Sequence, residues 1–424
     1  MRLNGIFKDN MVLQAGRQIS IFGVTWSCKN TNVISAKLKD GDKVIREGQT
    51  HDIYEDGFFL CTLDKLPYGG PYTLEVSSVD EGPENDVVIR DVYIGEVWIA
   101  GGQSNMEYPL GRSDNASEVV TGCPVTDIHF YNVPLADILD NELLLSEDQT
   151  DWLVIDSNTC YNMSGVAFFF ARKVEEYMKK HKDSKDVHIG IIGCYLGGTS
   201  VSCWQSKESL ERTKEGRRFL DEYEEACSKW ASEDDYIEAE LGFQDDCAEY
   251  ANRLNSMLAD EPYLTYLDAD QRLGGGPWPP PMGPLSLRRP YALFYGTVLR
   301  IAPYAVRGVI FYQGEEDTDK HSADYAPVFT TMIEEWREVF CDKDLPFIFC
   351  ELPVFNNSGD DSGWKELRKQ QKIVADTVPN TYMAELSDYG EPDNVHPSDK
   401  KTPGERLAEL ALRHVYGAKK KAKR

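Results

Sequence analysis

The sequence predicts an α/β protein: a parallel sheet with helices on both faces, preceded by a β-sandwich-like N-terminal domain and interrupted by a partly helical insertion. Three observations predict it. Beyond about residue 90, strand-like apolar runs alternate with helical stretches. Before it, short apolar runs alternate with strong turn formers. Between 206 and 290 the alternation breaks. At ~150 residues per domain, 424 residues imply two to three domains. The expected division is a β domain at 1–90, the α/β domain at 91–417 with its insertion at 206–290, and a basic tail at 418–424.

In the β domain, Ile19–Gly23, Phe58–Leu63 and Tyr72–Val76 read as strands, separated by Lys39-Asp40-Gly41-Asp42, Glu55-Asp56-Gly57 and Pro67-Tyr68-Gly69-Gly70-Pro71. Its role is structural, or that of a carbohydrate-contacting module. In the α/β domain the strand candidates are Gly95–Ala100, Asp127–Tyr131, Val187–Ile192, Val306–Tyr312, Pro346–Glu351 and Thr381–Leu386. Helices are expected at 165–181, which ends basic as its dipole prefers, at 325–340 and from Pro403 to about Val415. Within the insertion, Glu208–Met257 is acidic and helical in period, and Gly274–Pro284 is too rich in Gly and Pro for a regular element. The insertion reads as a lid or pocket wall, an oligomer contact, or a solvated decoration.

The formal net charge of −26 disfavours nucleic acid, whose phosphates need a basic face. No run of ~18 apolar residues is present to span a membrane. Met1–Asp9 lacks the apolar core of a signal peptide. The ten cysteines show no C-x-x-C spacing, and they read as reduced thiols of a cytoplasmic protein.

Four segments carry candidate chemistry. Gly101-Gly102-Gln103-Ser104-Asn105-Met106 follows a buried strand, at the end that opens onto the ligand crevice of a parallel sheet. A serine there suits a nucleophile, or it is an ordinary turn. Asp393-Asn394-Val395-His396-Pro397 offers a general base with a carboxylate three residues away, or an Asx-rich loop; Asp388 is a second candidate to orient the ring. Tyr312-Gln313-Gly314-Glu315-Glu316-Asp317 places an amide at a strand end, where Gln313 could donate to an oxyanion. Glu315 could pair with a neighbour or fix a loop, and Glu316 reads as a solvated helix start. The three carboxylates lack the spacing of a calcium loop, so no metal is expected. Gly190–Ser200 feeds a strand into a glycine turn, where Gly197 or Gly198 could lend a backbone N–H; a phosphate cradle is the competitor, without its lysine. Cys194 and Cys203 read as buried small residues. A hydroxyl, a histidine with Asp, an amide and glycine donors in one crevice suggest acyl transfer to water.

These segments resemble a known family. Gly-Gln-Ser-Asn-Met at 102–106, Tyr-Gln-Gly-Glu at 312–315 and Asp-x-x-His-Pro at 393–397 resemble, in order, three hallmarks of the sialate O-acetylesterase family within the SGNH hydrolases. Leu3–Gln14 is similar to its N-terminal signature, Gly197–Ser200 ending in Trp204 to its Gly-Gly-Thr turn, and Trp336-Arg337 to the end of one of its helices. The resemblance implies a three-layer SGNH domain with Ser104 as nucleophile, His396 as base and Asp393 as orienter. It implies an oxyanion hole from the N–H of Ser104, of Gly197 or Gly198, and the side chain of Gln313. Gln103, Asn105, Met106, Tyr108, Glu315, Trp204 and Trp278 are the expected substrate contacts. The implied reaction removes O-acetyl groups from a sugar without metal or other cofactor; a homo-oligomer is left open.

The chain departs from that pattern. It reads Gln-Gly-Glu-Glu-Asp at 313–317, where relatives usually read Gln-Gly-Glu-Ser-Asn. Carboxylates turned inward there would weaken oxyanion stabilisation and fit an anionic sialate poorly, which favours a neutral acetylated oligosaccharide. Tyr195-Leu196 stands where relatives often carry Trp, so Trp278, Trp204, Tyr108 or Tyr389 would have to supply a stacking surface. The rival classes are a non-catalytic carbohydrate-binding or scaffold protein, an esterase or deacetylase on a non-sugar ester, with an apolar tunnel, and a metal-dependent hydrolase.

Overall fold

The computed structural model describes residues 1–29, 31–135, 146–181, 187–261, 263–356 and 361–418. The basic tail beyond 418 lies outside them. The core is a parallel sheet in the spatial order Ile128–Asn132, Ile189–Tyr195, Val87–Gly102, Gly308–Tyr312, Phe347–Cys350 and Thr381–Ala384, with Leu153–Val154 antiparallel at one edge. All six strand expectations of the α/β domain fall on these strands. Their near-continuous apolar runs are what a sheet covered on both faces requires. Side chains alternate across it: Val97 and Ile99 join one core cluster, Trp98 and Ala100 the other. The first cluster holds Phe329 and Trp336 of helix Tyr325–Val339 with Leu367 and Val374 of helix Ser362–Thr377. The second holds Phe170 and Val174 of helix Gly165–His181 with Leu407 and Ala411 of helix Lys401–His414.

The boundary expected at residue 90 falls inside a strand. Val87–Gly102 pairs with Gly69–Ser78 and Val12–Gln14 in its first half and with Ile189–Tyr195 and Gly308–Tyr312 in its second. The run contains no proline to interrupt the ladder, so one sheet joins both parts. A separate three-stranded sheet of Arg2–Leu3, Ile19–Val24 and Phe58–Leu63 contributes to the same core cluster as Ile34–Asp40. The turn at 39–42 connects a hairpin of Ile34–Asp40 and Lys43–Thr50 that the sequence reading did not assign as strands.

The insertion is helical at Lys207–Leu210, Lys214–Cys227, Glu233–Asp260 and Tyr266–Leu273, and Ser206, Thr213, Ser232 and Thr265 each cap one helix through the side chain. The Gly- and Pro-rich loop that follows these helices within the insertion is tied down: the Trp230 indole donates to the Met282 carbonyl at 2.8 Å.

Candidate active site

Register places the site. Gly102 stands opposite both Tyr195 and Tyr312, so three turns leave the sheet at one level. Gly102 has φ +133°, and a Cβ there would lie 2.1 Å from the Tyr312 carbonyl oxygen, so only glycine lets the strands stay this close while the chain bends toward Ser104.

Ser104 and His396, 292 residues apart, meet: Oγ and Nε2 are 2.8 Å apart. Both line a cleft of about 800 Å³. Burial, and next the charge of Lys400, push the ring down to about 4. The imidazole is therefore neutral near pH 7, ready to accept the serine proton.

Four loops are pinned to one another. Gln103 Oε1 accepts from Gln313 Nε2 at 3.2 Å and from the Gly314 N–H at 3.2 Å. Asn105 Nδ2 donates to Glu315 Oε1 at 2.5 Å and to the Val395 carbonyl at 2.9 Å, while its Oδ1 accepts from Lys400 Nζ at 2.6 Å. Asp317 accepts from Ser200 Oγ at 2.6 Å and from the Val201 N–H at 2.9 Å. Each bond crosses between turns at the carboxyl ends of different strands, where exposed loops would otherwise move independently.

Several expected roles are not the ones these side chains take. Asp393 is exposed, and among the described residues no hydrogen bond joins it to His396. Its neighbour turns inward: Asn394 Oδ1 accepts the His396 N–H at 2.9 Å and Nδ2 donates to the His396 carbonyl at 2.9 Å. Glu391 accepts from Asn394 Nδ2 and the Ser398 N–H, completing the loop. Asp388 pairs with Arg406 instead of the ring. Gln313 is buried, and its amide donates to the Thr199 carbonyl at 3.0 Å and to Asp317 at 2.5 Å, so it holds the glycine turn and does not face the cleft. The Gly197 N–H donates to Glu107 Oε2 at 2.7 Å. The N–H groups of Ser104 and Gly198 carry no hydrogen bond among the described residues.

Of the expected substrate contacts, Gln103, Glu315 and Trp278 line the cleft. Asn105 and Met106 are buried beneath the serine, because the short helix Ser104–Glu107 turns them to the core. Trp204 is buried, its indole donating to Thr199 Oγ1 at 3.3 Å. Tyr108 packs under Lys400, and Tyr389 donates to the Asp399 carbonyl. Of the four aromatic residues named for a stacking surface, Trp278 alone lines the cleft, together with Phe355 and Trp364. Trp278 comes from the insertion, is 55% exposed, and covers Gly198 so closely that a Cβ there would lie 2.0 Å from the indole. The insertion is thus a cleft wall.

Sequence reasoning missed Arg288, Glu107, Asn394 and Lys400. Arg288 lines the cleft, donates Nε–H to the Gly197 carbonyl at 2.9 Å and sits 5.7 Å from the Trp278 ring. Glu316 is exposed and lines the cleft. The surrounding protein, with Asp317 beside it, nevertheless pushes its carboxyl up to about 7. Asp317 does turn inward, toward the Ser200 loop.

The profile of the family "Carbohydrate esterase, sialic acid-specific acetylesterase" matches residues 289–413. The sialate O-acetylesterase of Mus musculus is 24% identical over 91% of this chain and 68% of its own. That of Homo sapiens is 23% identical over 99% of this chain and 72% of its own. The chain is thus similar along most of its length to the sialate O-acetylesterases and, over residues 289–413, to that carbohydrate-esterase family. A carbohydrate acetylesterase from Xanthomonas citri shares the fold, with a TM-score of 0.69 at 23% identity over 98% of this chain and 76% of that one. The matched segment of the profile carries Gln313, Glu315 and His396; Ser104 lies outside it. Among the described residues no helix is long and apolar enough to cross a membrane.

Proposed function

We propose that the protein is a serine esterase that removes O-acetyl groups from a carbohydrate through an acyl-enzyme. The observation that carries this reading is the 2.8 Å contact between Ser104 Oγ and His396 Nε2 in an open cleft walled by Trp278. Ser104 attacks the acetyl carbonyl as His396 takes its proton. The oxyanion meets the free N–H groups of Ser104 and Gly198. Protonated His396 then gives its proton to the departing sugar oxygen, which leaves as a hydroxyl. Water, deprotonated by the same ring, cleaves the acetyl-serine to acetate. His396 is held from its backbone, by Asn394, and Asp393 acts only at a distance. The exposed indole and the charged side chains that line the cleft with it, Arg288, Glu315 and Glu316, support a sugar over a purely apolar ester. Glu316 supports a neutral acetylated oligosaccharide over sialate, whereas Arg288 would accept an acidic sugar. The ten unpaired cysteines suit a reducing compartment such as the cytoplasm.

Acetate release from acetylated sialic acid, xylan and glucomannan fragments tests the proposal. Wild-type protein should deacetylate at least one of them, and Ser104→Ala should lose ~10³-fold or more in kcat. Equal turnover by the purified variant would sink the assignment.

A further inference from the structure

We infer that Lys400 is a positioning residue of the Ser104–His396 pair, a buried cation held by Asn105 between the two loops that carry them. This rests on the esterase reading and goes beyond it.

Lys400 is 1% exposed. Its Nζ donates to Asn105 Oδ1 at 2.6 Å and lies 4.3 Å from the centre of the Tyr108 ring. Its stem packs on the start of helix Gly165–His181, where a Cβ on Gly165 would lie 2.9 Å from Lys400 Cβ. Among the described residues no carboxylate forms a direct ion pair with it; Glu315 is reached through the Asn105 amide. Lys400 also stands at the N-terminus of helix Lys401–His414, the positive end of the dipole, where Asp399 accepts the N–H groups of Lys401 and Thr402. Burial and dipole both oppose a charge here, so a lysine at this position is not a stability device. What the position does provide is contact with the chemistry. Asn105 adjoins Ser104, and its other bond reaches the carbonyl of Val395, which adjoins His396.

The titratable groups around Lys400 are Glu315, Glu391, Asp399 and the Cys350 thiol. The charges acting on the ring are that of Lys400 and, opposing it, that of Asp270 in the insertion. Burial lowers the Lys400 ammonium to about 7, so it stays charged throughout the acidic range in which His396 titrates. A positive charge within electrostatic reach of the imidazole disfavours its protonated form. Lys400 therefore keeps the base free in acid.

The test is the acid limb of kcat/KM for p-nitrophenyl acetate in Lys400→Met and Lys400→Arg. The Met variant should move the limb to higher pH, toward an ordinary imidazole, and the Arg variant should leave it low. A residue that merely fills space would not move the limb. An NMR titration of the His396 ring in Lys400→Gln reads the same shift without turnover, should the Met variant not fold. An unmoved ring titration in a folded neutral variant overturns the inference. Retained turnover in Ser104→Ala would instead overturn the esterase reading.

Discussion

The amide of Asn105 donates to the carbonyl of Val395 at 2.9 Å, tying the residue after the serine to the residue before the histidine. The contact spans 290 positions and sets the distance between the reacting groups. Replacing Asn105 by Ala strands three partners: Glu315, the Val395 carbonyl and Lys400. At about 1–3 kcal/mol for each buried polar group left unpaired, Asn105→Ala should lower the urea midpoint and reduce kcat. An unchanged midpoint would show that water replaces the side chain freely.

Asp393 faces solvent in the structure. Asp393→Asn should change kcat by no more than about threefold, against the ~10⁴-fold loss when a carboxylate orients the ring directly. Asn394→Ala should cost more than Asp393→Asn, because it releases both backbone groups of His396. Steady-state kinetics of the two variants decides. The reverse order would return Asp393 to the place that the family resemblance implied.

The pH profile follows from the depressed ring. An imidazole at about 4 is protonated only below that value, so kcat/KM should fall on the acid side near pH 4 and show no loss from the ring between pH 6 and 7. An acid limb at the ordinary imidazole value would mean that the cleft is wetter than the structure shows.

Glu316 is neutral below about 7 and charged above it. A negative charge in the same cleft as the developing oxyanion opposes reaction. Glu316→Gln should therefore match wild type at about pH 6 and exceed it a few-fold at about pH 8. A ratio constant with pH would place the carboxylate outside the reaction's field.

Trp278 is exposed and lines the cleft, where the proposed reaction would bring a sugar against its indole. Trp278→Ala should raise KM for an acetylated oligosaccharide by roughly five- to tenfold while leaving p-nitrophenyl acetate nearly unaffected. Equal effects on both would mean that the indole supports Gly198 and does not bind the sugar.

The amino-acid order alone determined much of this molecule. Buried parallel strands write themselves as apolar runs, so Val97–Ala100 and Val309–Phe311 could be read without a partner, and Ser104 and His396 stood out as reactive types at loop positions. The hairpin at 34–50 escaped because one of its strands, Lys43–Thr50, is mostly exposed and polar. Only the folded chain decided which side chains face the cleft. Gln313 and Asp393 are polar residues in the expected loops, yet one is spent inside the turn and the other points to water. Lys400 and Arg288 carry no local signal. Their significance lies in contacts across 295 and 91 positions. Local periodicity records how an element meets the core; it does not record which polar atoms of separate loops satisfy one another, because that choice is made by desolvation only after the loops are brought together.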